Sequence, residues 1–114
     1  RIYAIFWIIH FTSTRAIKGD IGISLYASSK SSLISFSKCI AKEFGRFNIT
    51  SNTISLGYFN SPLLNNIQKD IKKKMINDVP SKKIGNVKNI SNAIITLIKS
   101  DYISAAEIKI DGGI

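Results

Sequence analysis

The chain has 114 residues, of which 45% are hydrophobic, with two prolines and a single cysteine. This composition is typical of a folded globular protein and excludes disordered, collagenous and disulfide-stapled classes. Because Cys39 has no partner and no Cys/His cluster occurs, an internal disulfide and the usual structural zinc spacings are excluded, which favours a reducing, cytoplasmic setting. The length allows one domain or part of one, and since the first residue is Arg1, we expect a processed chain or a piece of a longer reading frame.

The net charge of +9 raises the question of nucleic-acid binding, because clustered Lys and Arg bind phosphates. The only dense run of lysines, residues 69–74, has no interleaved aromatic side chains and no docking motif. A solvated helix face explains this run better, so we predict no nucleic-acid partner.

The chain opens with an apolar run from Ile2 to Phe11. Its roughly ten residues are half of the ~20 that a membrane-spanning helix needs, so we predict no membrane association. Ile, Phe and Trp without polar alternation indicate instead a strand that is buried on both faces of a parallel sheet.

A loop and a long helix are predicted next. Residues 13–25 contain turn-forming Gly and Asp and show little periodicity, which indicates a loop. From Tyr26 to Phe44 neither Gly nor Pro occurs, and Gly45 stands where a left-handed C-terminal cap is expected. The apolar spacing predicts an amphipathic helix with a buried stripe of Leu33, Phe36, Ile40 and Phe44.

The remaining chain alternates between strands and helices. Residues 49–56 alternate apolar and β-prone polar side chains and predict a second strand, and residues 63–78 resume helical spacing. Asn86 is the predicted N-cap of a helix that ends at Ser100, and residues 106–110 predict a third strand.

This order of strands and helices favours right-handed βαβ crossovers and a parallel sheet. In open sheets of this kind, functional residues collect at the carboxyl ends of the strands. Ser13, residues 57–61 and residues 111–113 occupy these positions, so a functional site is predicted there.

Tyr26 and Lys30 lie four positions apart at the start of the long helix and therefore project from one face, about one turn apart. A lysine ammonium held near a phenol favours the phenolate, which suits general acid/base catalysis. Ser13 comes immediately after the first strand and could bring a second hydroxyl to a substrate carbonyl. Taken alone, the Tyr-x-x-x-Lys pair also fits an ordinary pair on a helix surface.

The pair belongs to a longer set of motifs. The pentapeptide Tyr26–Lys30 (YASSK), with Ser13 upstream, resembles the active-site signature of the short-chain dehydrogenase/reductase family. The similarity extends over nearly the whole chain and is closest to members of the 3-oxoacyl-(acyl carrier protein) reductase type. Further matching segments are residues 36–38, 41–43, 48–52, 57–62 and 106–113.

The resemblance implies an α/β fold, namely the C-terminal part of a Rossmann-type doubly wound parallel sheet with strands five to seven and their connecting helices. Residues 1–114 would then be a partial NAD(P)-binding domain that lacks the N-terminal dinucleotide-binding half. Consistent with this, none of the seven glycines forms the glycine-rich turn that holds a pyrophosphate at a helix N-terminus.

The resemblance also implies a function, the NAD(P)-dependent interconversion of a carbonyl and an alcohol by hydride transfer. Tyr26 would be the general acid/base, Ser13 would orient and polarise the carbonyl, and Lys30 would hold the nicotinamide ribose. The cofactor would be NAD or NADP. Its implied binding residues are Tyr26, Lys30, Gly57, Phe59 and Ser61.

The family resemblance further implies partners. The substrate would be a small carbonyl or alcohol compound under a variable lid formed by residues 63–78, and the basic surface would suit delivery by an acyl carrier protein. In the family, the long helix packs against its copy in another subunit. This implies a homodimer or homotetramer with Ile34, Cys39 and Ala41 at the interface.

Activity of the chain by itself is a separate question. Without a phosphate-binding turn most cofactor contacts would be lost, so we predict little or no activity for the isolated chain. The alternative function is a catalytically inactive truncated remnant, or an interaction module that retains the fold. Among single residues, Trp7 is predicted to lie in the core, Cys39 to be packed, and Asp111 to organise the C-terminal turn.

Overall fold

A computed structural model describes residues 4–114, in which three parallel strands form one sheet in the order β1-β2-β3. The strands are β1 (Phe6–Ser13), β2 (Ile49–Leu56) and β3 (Glu107–Ile110). The helices are α1 (Thr14–Lys18), α2 (Ser24–Phe44), α3 (Pro62–Asn65), α4 (Lys69–Asp78) and α5 (Val87–Lys99). The predicted α/β class with a parallel sheet is confirmed. None of the helices within this range is long and apolar enough to cross a membrane.

Strand β1 lies at one edge of the sheet, and the prediction that both its faces are buried is wrong. The strand begins at Phe6, and the predicted start at Ile2 lies outside the described residues. Phe6 is 58% exposed and Trp7 37%, so Trp7 is not a core residue. The physical reason is that, within residues 4–114, β1 has a neighbouring strand on one side only and little contact with α5.

The central strand β2 is buried although most of its side chains are polar. Asn52 Nδ2 donates to the Ile103 carbonyl at 2.8 Å, and Asn52 Oδ1 accepts from the Ala106 N–H at 3.0 Å. The Ser55 hydroxyl donates to Glu107 Oε1 at 2.9 Å. These bonds replace the water that the polar groups lose on burial, so the strand can form the centre of the sheet.

Helix α2 packs against β1 and β2, and Ser37 is its one buried residue. Ser37 Oγ lies 2.9 Å from Ser51 Oγ, and His10 Nε2 lies 3.2 Å from the same Ser51 oxygen. The predicted buried stripe is wrong at two of its four residues, since Phe36 is 52% and Phe44 is 39% exposed, whereas Leu33 and Ile40 are half-buried. The helix meets the sheet through the face that carries Ser37, where a small side chain permits close approach.

The boundaries of α2 differ from the prediction. Residues 14–18 form α1 instead of a loop, and α2 begins at Ser24, two residues early. Gly45 has a right-handed φ of −56° at the start of a short 3-10 helix, so it is not a left-handed cap. Asn48, with φ of 61°, takes the left-handed position, which Asn tolerates better than most residues. Cys39 is exposed rather than packed, because it does not share the sheet-facing side of Ser37.

The single helix predicted over residues 63–78 is two helices, α3 and α4. Helix α3 begins at Pro62 and ends at Asn65, after about one turn, and Gln68 is non-helical with ψ of 140° before α4 begins. Leu64 is buried whereas Ile71 is 52% exposed. The apolar spacing continues across the break, which is why periodicity did not reveal it.

Helix α5 begins where its predicted cap places it. Asn86 Oδ1 accepts from the Lys88 N–H, and Asn89 Oδ1 accepts from the Asn86 N–H, each at 2.9 Å. This reciprocal pair confirms Asn86 as the N-cap. The helix ends at Lys99, one residue before the predicted end, and its residue Leu97 is fully buried.

Candidate active site

The carboxyl ends of the three strands lie side by side, as the parallel topology predicts. Ser13 at the end of β1 pairs with Leu56, and Leu56 pairs with Ile110 at the end of β3. The next residue after β2, Gly57, donates its N–H to the Ile110 carbonyl at 2.9 Å. Residues that are far apart in the sequence therefore meet at one edge of the sheet.

Gly57 is required at this edge by a close approach of the backbone. A Cβ at position 57 would lie 2.6 Å from Asp111 Cα and 2.7 Å from Asp111 Cβ, closer than non-bonded carbons approach. The Asp111 carboxylate accepts the Thr14 hydroxyl at 3.1 Å and the Gly113 N–H at 2.9 Å. These bonds confirm that Asp111 organises the C-terminal turn, and they join that turn to the residue after Ser13.

A cleft of about 490 Å³ opens beside this edge, and Ser13, Tyr26 and Gly57 all lie in its wall. Its volume is within the range of about 300–1,000 Å³ that is usual for small-molecule sites. Tyr26 is 46% exposed, so its phenol is accessible to a ligand. Apolar contact surface comes from Leu56, Tyr58 and Leu63.

Lys30 lies one turn after Tyr26 and is tied to β1. Its carbonyl accepts the Thr12 hydroxyl at 2.7 Å, and its Nζ donates to the Phe11 carbonyl at 3.5 Å. The side chain is half-buried and does not belong to the cleft wall that the described residues form. Because an ammonium group has three donors, this single long bond leaves donors for a ligand.

Phe59 and Ser61 lie further along the loop after β2, outside the set of described residues that line the cleft. Phe59 forms an isolated parallel bridge with Gly85. The bridge is held by bonds from the Asn60 N–H to the Gly85 carbonyl at 3.1 Å and from the Gly85 N–H to the Tyr58 carbonyl at 2.8 Å. Phe59 lines a second cavity of about 500 Å³, and Ser61 immediately precedes α3.

The cleft has a charged wall that the sequence analysis did not identify, formed by Arg15, Lys18, Asp20 and Asp78. Arg15 Nη2 and Nε donate to Asp20 Oδ2 at 2.8 and 3.0 Å, and the Ile21 N–H donates to Asp20 Oδ1 at 2.8 Å. The hydrogen bond from Arg15, the amide of Ile21 and the Arg15 charge lower the pKa of Asp20 from its ordinary 3.8. In the sequence, this charged wall could have been recognised from the two cations Arg15 and Lys18, which lie three positions apart directly after the first strand.

Two successive turns of α2 carry donors of the kind that a ribose requires. Tyr26 lines the cleft with a partly exposed phenol, and Lys30, one turn later, has donors available beside its bond to the Phe11 carbonyl. Within residues 4–114 we find no group of three or more His, Cys, Asp or Glu side chains that could hold a metal ion.

Comparison with known proteins gives matches along most of the chain. The model of a family described as enoyl-(acyl carrier protein) reductase matches residues 7–114. Carbonyl reductase family member 4 of Xenopus laevis is 33% identical over 107 residues, covering 94% of this chain and 44% of that protein. The 3-oxoacyl-[acyl-carrier-protein] reductase of Homo sapiens is 29% identical over 107 residues, with the same 94% and 44% coverage. The crystal structure of a blue fluorescent protein from a metagenomic library, in complex with NADPH, is similar with a TM-score of 0.83 at 26% identity and covers 94% of this chain and 44% of that chain.

The chain therefore belongs to the short-chain dehydrogenase/reductase family, and its sheet is part of the Rossmann-type fold of that family. It spans about 44% of the length of the curated relatives it matches.

Proposed function

We propose that residues 1–114 are the C-terminal part of an NAD(P)-binding domain and act in the interconversion of a carbonyl and an alcohol. One observation carries the proposal: Ser13 and Tyr26, from different elements, line one cleft at the carboxyl ends of the strands. Relatives named as carbonyl and 3-oxoacyl reductases support the reaction class. The NADPH in a similar structure supports NAD or NADP as the cofactor.

In this proposal Tyr26 exchanges a proton with the substrate oxygen. Its partly exposed phenol can donate a proton to a carbonyl oxygen in one direction and accept it from an alcohol in the other. The Ser13 hydroxyl donates a second hydrogen bond to the same oxygen, which orients the carbonyl and stabilises charge that develops there. The cofactor, when bound, supplies or accepts the hydride.

Lys30, Gly57, Phe59 and Ser61 hold the cofactor in this proposal. The Lys30 ammonium, anchored by the Phe11 carbonyl, offers its remaining donors to the ribose. The bridge to Gly85 holds the backbone of Phe59 in place, which supports a main-chain contact with the nicotinamide. Ser61 adds a hydroxyl beside it.

Replacement of Tyr26 by Phe tests the central role. In the protein at its natural length, loaded with NADPH and a ketone, Tyr26→Phe is expected to lower kcat by about 10²–10⁴-fold, the usual contribution of general acid catalysis. The matched control is Tyr102→Phe, since Tyr102 is 97% exposed and lies outside the cleft wall. Equal rates for the two variants would contradict the proposal.

The isolated 114-residue chain is expected to oxidise little or no NADPH, because its sequence lacks the glycine-rich turn for the pyrophosphate. Steady NADPH oxidation by the purified chain with a ketone would contradict this expectation. A folded chain without nucleotide affinity would instead favour the alternative, a catalytically inactive remnant or interaction module.

A carrier-bound acyl substrate is the second candidate. It is favoured by the net charge of +9 and by relatives named 3-oxoacyl-[acyl-carrier-protein] reductase. If the acidic carrier docks by charge, carrier-bound substrate should react faster than free substrate at low salt, and the difference should shrink at high salt. Equal turnover under both conditions would count against carrier delivery.

A homodimer or homotetramer, with α2 packed against its copy, is also part of the proposal. The supporting observation is the exposed outer face of α2, where Phe36 is 52% exposed and Cys39 is exposed. Ile34 and Ala41, the other residues expected at the interface, are half-buried and lie on the side of the helix that carries Ser37. Cys39→Glu should shift the sedimentation coefficient to a smaller species, because it places a charge on the exposed outer face, and an unchanged coefficient would argue against this interface. The exposed thiol is consistent with the proposed reducing, cytoplasmic location.

A further inference from the structure

The cleft contains cations that the proposed proton transfer does not use. Arg15 and Lys18 are three residues apart on α1 and share one helix face, while Thr14 and Ala16 of the same helix are buried. Both cations line the cleft that contains Ser13 and Tyr26. The positive charge of Arg15 and Lys18 and their place in the cleft together indicate that they bind an anionic ligand.

We propose that the substrate of this cleft is an oxo acid whose carboxylate is bound by Arg15. This inference rests on the proposed function, because it names the substrate class of the same site. Arg15 lines the same cleft as Ser13 and Tyr26, so a short molecule whose carbonyl is held by these two hydroxyls can place its carboxylate at the guanidinium. A guanidinium is a planar fork of donors that matches the two oxygens of a carboxylate.

The present partner of Arg15 can be replaced by such a ligand. The Arg15 and Asp20 side chains are 53% and 49% exposed, and exposed ion pairs contribute little to stability. Arg15 Nη2 and Nε both donate to one Asp20 oxygen, Oδ2, because the other oxygen is held by the Ile21 N–H. A substrate carboxylate can accept the same two bonds with two oxygens, which is the stronger bidentate arrangement.

Two cations and two carboxylates line the cleft, and one of the carboxylates, Asp20, already binds Arg15 on the α1 side. Lys18 adds a second positive charge on the face of Arg15, whereas Asp78 at the end of α4 repels a carboxylate from that side. A carrier-bound thioester has no charge at the corresponding position and gains nothing from Arg15. The proposal therefore favours a free oxo acid over a carrier-bound acyl group.

The test compares 3-oxobutanoate with 3-oxobutanamide, which has nearly the same shape without the charge. With the natural-length protein and NADPH, Arg15→Gln should lower kcat/KM for the acid about tenfold or more, mainly through KM, and leave the amide within about twofold. Asp20→Asn breaks the same ion pair but releases Arg15, so it should lower KM for the acid. Arg46→Gln, in the short 3-10 helix Gly45–Phe47 that follows α2, is the control that should change neither substrate.

The two variants separate a binding role from a structural one. If the ion pair only supports α1, Arg15→Gln and Asp20→Asn will change both substrates in the same direction, and the proposal is overturned while the proposed function stands. Binding of the acid can also be measured without turnover, from the change in the protein's NMR chemical shifts as the acid is added. If neither compound is reduced, weaker binding in Arg15→Gln and stronger binding in Asp20→Asn still support the carboxylate site, and only the proposed function fails. Unchanged binding in both variants overturns the site.

Discussion

Replacement of Gly57 by alanine tests the contact between the end of β2 and the end of β3. The added Cβ would lie 2.6 Å from Asp111 Cα and 2.7 Å from Asp111 Cβ. These atoms belong to the main chain or are fixed to it, so the clash cannot be relieved by rotation of a flexible side chain. The end of β3 must move away from β2.

The expected loss can be worked out from the contacts at that point. Overpacking by one methyl group costs about 1–3 kcal/mol. The shift also strains the bond from Gly57 to the Ile110 carbonyl, worth about 1 kcal/mol, and the charge-assisted bond from Thr14 to Asp111, worth about 1.5–3 kcal/mol. With these bonds weakened but not abolished, we expect Gly57→Ala to lower the free energy of unfolding by about 2–4 kcal/mol.

Chemical denaturation of the natural-length protein measures this difference, and Gly45→Ala is the matched control. A Cβ at position 45 would meet nothing within 4 Å, and Gly45 has a right-handed φ of −56°. The control is therefore expected to be neutral or stabilising by up to about 1 kcal/mol. Gly57→Ala and Gly45→Ala with the same free energy of unfolding would refute the reasoning.

Two further predictions concern the helix cap and the ion pair. Asn86→Ala should lower the stability by about 0.5–2 kcal/mol in thermal unfolding, because α5 loses its N-cap bond, whereas Asn92→Ala on the exposed face of the same helix should stay within about 0.5 kcal/mol. Equal losses would contradict the role of the cap. For Asp20, the hydrogen bond from Arg15 lowers the folded pKa below the ordinary 3.8, so the pair stabilises the fold above that pH and its contribution is lost as the pH falls through the folded pKa. A carboxyl titration by NMR should give a midpoint below 3.8 that rises in Arg15→Gln, and an unchanged midpoint would contradict the cause.

Elements with local signals could be predicted from the sequence. The cap at Asn86 depends on residues within three positions, and the bounds of β2 agree with the prediction because Asn48 and Gly57 interrupt the pattern on either side. The break within residues 63–78 could not be predicted, since the apolar spacing is the same before and after it. The centre of the buried face of α2, Ser37, was missed because a polar residue is not expected in a buried stripe, and its partner is a small polar residue of the sheet.

In the candidate site, too, residues with a local or topological signal could be predicted from the sequence, and those that depend on tertiary contacts could not. Ser13 and Gly57 could be placed together because parallel strands end at one edge, and Tyr26 followed from the start of α2. The ion pair of Arg15 and Asp20 could not be predicted, because a helix as short as α1 has almost no periodicity and forms only where the end of β1 and the face of α2 support it.

The polar centre of the sheet has a consequence for how the chain avoids misfolding. In a strand of Val and Ile, a shift of the register by two residues returns apolar side chains to the same face. Such a shift costs little free energy, because only the steric fit of the side chains disfavours it. In β2, such a slip separates Ser51, Asn52 and Ser55 from their hydrogen-bond partners, and each buried group left unpaired costs about 1–3 kcal/mol. Together these losses are comparable to the whole stability of a small domain. The hydrogen bonds of its polar side chains thus disfavour wrong registers of β2. Its low hydrophobicity also makes β2 less prone to aggregate while it is still unpaired during folding.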